Sequence, residues 1–277
     1  MANVGVISAI CEDGYYIFSD ELNHASIIDG CKLSKGKIIV YKHNDMDDLY
    51  RKISEINPQK GIIVTDSVFS MDGDIANMKR IVEIAKEKNL LTLVDDAHAT
   101  GVIGKTGRGS SEYFDFDIDI TIGTLSKAIG SEGGFVCAKS DIIDYLKNKT
   151  RSFIFSTALS PAVISGASKS FDIIERRPEL VKKLSSNVNY LCKGLKDIGF
   201  DVSSETPIIP IIIGDEELAI NFSKKLIEEG VYIPAIRFPT VKKGEARLRM
   251  TLMATHSKED IDFALSKIKK VKEELGI

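Results

Sequence analysis

Short apolar runs that alternate with amphipathic segments constrain this chain more than any other feature. Residues 15–19 (YYIFS), 37–41 (KIIVY), 61–65 (GIIVT), 90–94 (LLTLV) and 118–122 (IDITI) read as buried strands. Between them, residues 23–33, 45–56 and 77–88 carry helical spacing, the last with Met78, Ile81, Val82 and Ala85 on one face. Strands apolar along most of their length, each followed by a helix, predict a mostly parallel α/β sheet covered on both faces. Open sheets of that kind bind ligands beyond the C-terminal ends of their strands. The strand ends are therefore where chemistry is expected.

A further strand (134–138) and helix (140–148) follow, and the pattern breaks at Pro161. A helix-rich stretch then covers 162–198. Beyond it, 209–213 and 247–253 read as strands, 216–229 and 258–274 as helices, and 231–233 as another short apolar piece. We expect a large domain over residues 1–170 and a smaller α+β domain over 171–277, joined by the long helix.

Charge and composition remove several classes of function. The 277 residues carry 37 basic and 40 acidic side chains, a net charge of −3, so no basic excess advertises a nucleic-acid footprint. The apolar stretch PIIPIII (207–213) is too short and too proline-rich to span a bilayer. The N-terminus, MANVGVISAICEDG, lacks the charged region and cleavage pattern of a signal peptide. Cys11, Cys31, Cys137 and Cys192 are scattered without a CxxC pair, and the four histidines show no HExxH spacing. That pattern predicts reduced, buried thiols in a cytoplasmic protein, with no protein-built metal site.

Two strand ends carry unusual residues. Lys127 lies in TIGTLSKAIGSEGG (121–134), among small residues that leave room for a large planar molecule. Asp95 ends the run LLTLV, and His98 follows three residues later. Taken singly, each has a bland reading: a solvated lysine, a helix cap or surface ion pair, a satisfied core histidine. Together they are what a pyridoxal phosphate (PLP) enzyme requires. A carboxylate ~4 Å from a protonated pyridine nitrogen, at an effective dielectric of ~20, gains on the order of 4 kcal/mol before desolvation. A desolvated lysine can form an imine with an aldehyde, and Thr124 offers a hydroxyl to a phosphate. One decoy is set aside. GVIGKTGRG (101–109) contains GKT, but the position where a phosphate loop needs its first glycine is Ala99. It reads as a glycine-rich solvent loop.

Seven motifs then occur in order: DELNHASIIDG (20–30), HNDM (43–46), VTDSVFSMDGD (64–74), VDDAHATGVIG (94–104), GTLSKAIG (123–130), FIFSTALSP (153–161) and AIRFPTVKKGEARLRMTL (235–252). They resemble the α-oxoamine synthase family, essentially from end to end. The resemblance implies the aspartate aminotransferase-like type I fold and PLP-dependent condensation of an amino acid with an acyl-CoA or an acyl carrier protein. Carried over by residue, Lys127 matches the Schiff-base lysine, Asp95 the partner of the pyridine nitrogen and His98 the histidine on the phenolic oxygen. His24, which on its own reads as a helix cap, matches the histidine stacked on the ring. Ser70 matches a serine near the phenolic oxygen and Thr124 a phosphate ligand. Ser156 and Thr157 match phosphate ligands donated by the partner subunit of a homodimer. Arg249 matches the arginine that grips the substrate carboxylate, a task suited to its bidentate fork. Arg237 resembles a second substrate-side arginine.

Within the family, the AIRFPTV setting of Arg237 favours L-alanine and a pimeloyl thioester, as in biotin synthesis; glycine with acetyl-CoA is the alternative. Family members carry a further segment ahead of the helix matched by ANVGVISAI. A non-catalytic fragment or dimer partner is therefore the competing reading from another class.

Overall fold

The computed structural model describes residues 1–277. The chain divides into two units, Met1–Phe69 with Ile75–Pro178, and Ser70–Asp74 with Glu179–Ile277. The first begins with α1 (Ala2–Ile10), β1 (Tyr16–Asp20), α2 (Ala25–Leu33), β2 (Lys37–Tyr41), α3 (Met46–Ile56), β3 (Gly61–Asp66), α4 (Met78–Glu87) and β4 (Leu91–Asp95). It continues with α5 (Ser110–Phe114), β5 (Ile120–Thr124), β6 (Gly134–Ala138), α6 (Ser140–Lys149), α7 (Arg151–Ile154) and α8 (Pro161–Arg176). The six strands form one sheet in the order β2-β1-β3-β4-β5-β6. All neighbours are parallel except β6, which runs antiparallel to β5. This is the mostly parallel α/β sheet expected from the sequence.

The two-residue period of the strands sends alternate side chains to opposite faces. Phe18, Ile63 and Val94 pack with Leu49 and Ile53 of α3 and with Met78 and Ile81 of α4. Their neighbours Ile17, Ile62, Val64 and Leu93 pack on the other face with Val6 and Ile7 of α1 and Ile27 of α2. Each such burial contributes about 1.5–3 kcal/mol, and so both helical layers are held. Local capping sets where the helices start: Asp45 accepts from the Asp48 amide and Asn77 from the Arg80 amide. On the second face α1 lies very close to α2. A Cβ on Gly30 would come within 3.0 Å of the Asn3 carbonyl, so glycine is what permits the approach.

Several expectations are corrected. β5 begins at Ile120 rather than 118, because Asp119 turns aside to accept from both the amide and the hydroxyl of Thr92. The long helix expected over 162–198 is two helices. Pro178 cannot continue α8, and α9 (Glu179–Asp197) starts afresh; the expected boundary at residue 170 lies inside α8. Cys11, Cys31 and Cys192 are free and buried as expected, but Cys137 on the antiparallel strand β6 is exposed. Burial pushes the Cys11 thiol up to about 12 and the Cys31 thiol to about 11, which disfavours the thiolate in both. No helix is long and apolar enough to cross a membrane.

The second unit contains α9, β7 (Ile208–Gly214), α10 (Glu216–Glu228), β8 (Ala235–Ile236), β9 (Ala246–Thr251) and α11 (Lys258–Leu275). Its antiparallel sheet has the order β7-β9-β8. Residues 231–233 form no strand; the pairing with β9 falls at Ala235–Ile236. The short piece Ser70–Asp74 is tied into this unit. Arg247, only 3% exposed, is paired with Asp72, and Thr206 donates its hydroxyl to the Gly73 carbonyl.

Gly73 has φ +73°, and a Cβ there would lie 2.3 Å from the Ile208 carbonyl oxygen. Gly73→Ala is therefore expected to lose more than the ~1–2 kcal/mol of left-handed strain alone, measured as a lowered urea midpoint.

Candidate active site

The candidate site is built at the C-terminal ends of β3, β4 and β5. Asp66 and Asp95 end β3 and β4 as register partners, side by side in the sheet, and each is 4% exposed. Asp95 is held from two sides. Its Oδ1 accepts from the Ala97 amide at 2.8 Å, and its Oδ2 from Asn3 Nδ2 at 2.5 Å. Asp66 Oδ2 accepts from the His24 amide at 2.7 Å. Burial, and next the neighbouring Asp95, push the Asp66 carboxyl well above the usual carboxylate range. Asp96, the second acid of the DD pair, turns the other way and accepts from the Ser110 amide.

Over these strand ends lies an open cavity of about 1050 Å³. Its walls bring together His24, Asp66, Asp95, His98, Thr124 and Lys127 from four separate stretches of chain. His24 has the helix-cap role and faces the cavity as well: its Nδ1 accepts from the Ser26 amide at the start of α2. Thr124 Oγ1 lies 2.8 Å from Ser126 Oγ. Ser156 and Thr157, in the exposed stretch between α7 and α8, line this chain's own cavity.

Lys127 differs from expectation in being exposed rather than desolvated. It sits on the loop joining β5 to β6, where Leu125 and Ile129 turn inward and the lysine between them turns out. The small residues also have another use than the one expected. Space beside Gly123 is filled by the Phe135 ring, which a Cβ would meet at 2.2 Å, and space beside Gly133 by Leu159. Those two glycines serve the chain's own packing. The glycine-rich loop 101–109 holds no phosphate motif. Its Thr106 amide and hydroxyl and its Arg108 amide all donate to Glu112.

The remaining candidates belong to the small unit. Arg249 Nε donates to the Ser70 carbonyl at 2.5 Å and Nη1 to Thr251 Oγ1 at 2.9 Å. Burial lowers the guanidinium pKa of Arg249 from its ordinary value. Arg237 is exposed just after β8. Sequence reasoning missed Asp66, although it ends a strand as Asp95 does and the same logic would have found it. It also missed Asn3, which carries no local signal.

The aminotransferase class I and II family matches residues 1–268. The chain belongs to that family. The 8-amino-7-oxononanoate synthase of Lysinibacillus sphaericus is 55% identical over 281 residues, covering 100% of this chain and 72% of that protein. The synthase of the same name from Thermoanaerobacter pseudethanolicus is 50% identical over 281 residues, covering 100% and 71%. Among solved structures, a Sphingomonas wittichii serine palmitoyltransferase matches with TM-score 0.96 at 31% identity, over 99% of this chain and 70% of that one. An 8-amino-7-oxononanoate synthase from Francisella tularensis matches with TM-score 0.84 at 30% identity, over 100% and 81%. The expected likeness to α-oxoamine synthases is borne out, and the chain is a PLP-dependent acyltransferase.

The residues present fit that cofactor. The cavity offers an amine in Lys127, a buried carboxylate in Asp95 held by two donors, a histidine ring and a hydroxyl, all on one surface.

Because the Asp66 pKa is raised on folding, the folded chain holds that proton more tightly than the unfolded one. The stability this provides is complete below the ordinary carboxylate pKa and is lost as pH rises through the raised value. Asp66→Asn keeps an acceptor for the His24 amide and carries no charge. Its urea stability relative to wild type should climb from about pH 4 upward. A relative stability that stays flat across that range would show that Asp66 is not buried as a strained acid.

Proposed function

We propose that this protein condenses L-alanine with a pimeloyl thioester, releasing CO2 and CoA and forming 8-amino-7-oxononanoate. The observation that carries the reading is the meeting of Lys127, Asp95, His98, His24 and Thr124 on one cavity. The choice of substrates is supported by relatives at 50–55% identity that bear the name of that synthase.

Each residue has a task that its chemistry suits. Lys127 Nζ would hold the cofactor and would take and return the substrate's Cα proton as general base. Asp95 would keep a proton on the ring nitrogen, and its two donors keep its oxygens aimed. His98 would donate to the phenolic oxygen and His24 would pack on the ring face. Thr124, with Ser156 and Thr157, would take the phosphate. When bound, PLP supplies an electron sink that stabilises negative charge at the α-carbon of the amino acid. From the small unit, Arg249 would bind the substrate carboxylate, Arg237 would lie on the substrate side, and Ser70 would serve the phenolic oxygen. We also propose a homodimer that shares Ser156 and Thr157 between subunits, as supported by the exposed Phe153 and Phe155 beside them.

Product analysis tests the reading directly. With PLP, L-alanine and pimeloyl-CoA the purified protein should yield 8-amino-7-oxononanoate. Turnover confined to glycine and acetyl-CoA would overturn the substrate assignment. Lys127→Ala should lose the visible absorbance of bound cofactor together with activity. Asp95→Ala, saturated with PLP, should lose roughly 10²–10³-fold in kcat.

A further inference from the structure

Asn3, in the first turn of α1, is 6% exposed and reaches two residues of the cavity wall at once. Its Nδ2 donates to Asp95 Oδ2 at 2.5 Å and to Ser26 Oγ at 2.9 Å. Ser26 Oγ in turn lies 2.8 Å from His24 Nδ1. The three contacts form one continuous chain from the carboxylate to the imidazole.

The direction of that chain follows from what each group can do. An amide nitrogen has two hydrogens and no lone pair to offer, so Asn3 can only donate to Asp95 and to Ser26. The Ser26 oxygen, having accepted, is left to donate its own hydrogen to His24 Nδ1. The Ser26 backbone amide donates to the same nitrogen at 3.2 Å. Two donors converge on Nδ1, which therefore carries no proton; the ring proton belongs on Nε2. The orientation of the amide is itself dictated. Asn3 Oδ1 is buried without a partner, yet flipping the amide would aim that oxygen at the Asp95 carboxylate. The side chain leaves its acceptor unsatisfied and uses both hydrogens.

From this we infer that Asn3 is a positioning residue that locks both sides of the cofactor site, holding the Asp95 carboxylate directly and fixing the His24 tautomer through Ser26. It touches neither reacting atom. The inference rests on the placement of Asp95 and His24 at the cofactor, as proposed above. It also gives α1 a role in the site that packing alone would not require.

Three variants and two readouts test it. In the purified apoprotein, the His24 ring nitrogens are read by 15N chemical shift, assigned with His24→Gln. Wild type should show a bare Nδ1 and a protonated Nε2, and both Asn3→Ala and Ser26→Ala should shift His24 toward mixed tautomers. PLP affinity is read by titrating the visible absorbance band. Hydrogen bonds to charged groups are the stronger kind, so Asn3→Ala should weaken PLP binding about tenfold or more, and Ser26→Ala less, because it spares the Asp95 arm. Asn3→Asp has nearly the shape of asparagine but sets a second carboxylate against Asp95. It should bind PLP more weakly than Asn3→Ala, an order that a purely structural role would reverse. Wild-type PLP affinity and an unshifted His24 in Asn3→Ala would overturn the inference and leave the proposed function standing. A wild-type protein that forms no visible band with PLP would overturn both.

Discussion

The site depends on two carboxylates buried side by side. Asp66 and Asp95 end adjacent parallel strands in register, and two negative charges so placed cannot both be left in a dry pocket without cost. The surroundings answer each differently. Asp95 receives two hydrogen-bond donors, from Ala97 and Asn3, which hold both of its oxygens. Asp66 receives only the His24 amide, and burial, with the neighbouring Asp95 next, pushes it toward its protonated form. One acid is thereby held by two donors while its neighbour is relieved of charge.

That division organises much of the large unit. The Asp66–His24 bond fixes the start of α2, whose N-cap is the histidine on the cavity wall. Asn23 reinforces the same turn, accepting from the Asp66 amide and donating to the Val64 carbonyl and to Ser19. The close approach of α1 to α2 at Gly30 carries Asn3 to Asp95. Packing and site chemistry are thus one arrangement. A helix held by apolar residues on the sheet also delivers a side-chain amide to the buried Asp95 carboxylate.

In the small unit the two arginines of RLR divide their work. Arg247 is buried and paired with Asp72 and Glu245 within its own unit. Arg249, two residues on along the same strand, bonds Ser70 and Thr251. Both anchor the Ser70–Asp74 piece, which leaves the large unit after Phe69 and returns at Ile75. The first arginine of the pair is thus committed to holding the small unit together.

Much of this was legible before any fold was known. Apolar runs of strand length fix a parallel sheet, because only a sheet covered on both faces can bury them. An acid or lysine just past such a run must lie at the sheet's C-terminal edge. Asp95, His98, Thr124 and Lys127 were found on that local logic, and the family motifs added His24. What tertiary structure alone decided are relations between distant residues. Asp66 matters because β3 lies beside β4, a neighbour relation that no single run encodes. Asn3 matters because α1 crosses α2 at a glycine and ends against a strand that comes 92 residues later in the chain. Even the openness of Lys127 and the filling of the space at Gly123 by Phe135 belong here. Periodicity states which face a side chain takes, whereas its neighbours across that face are set only when the layers close.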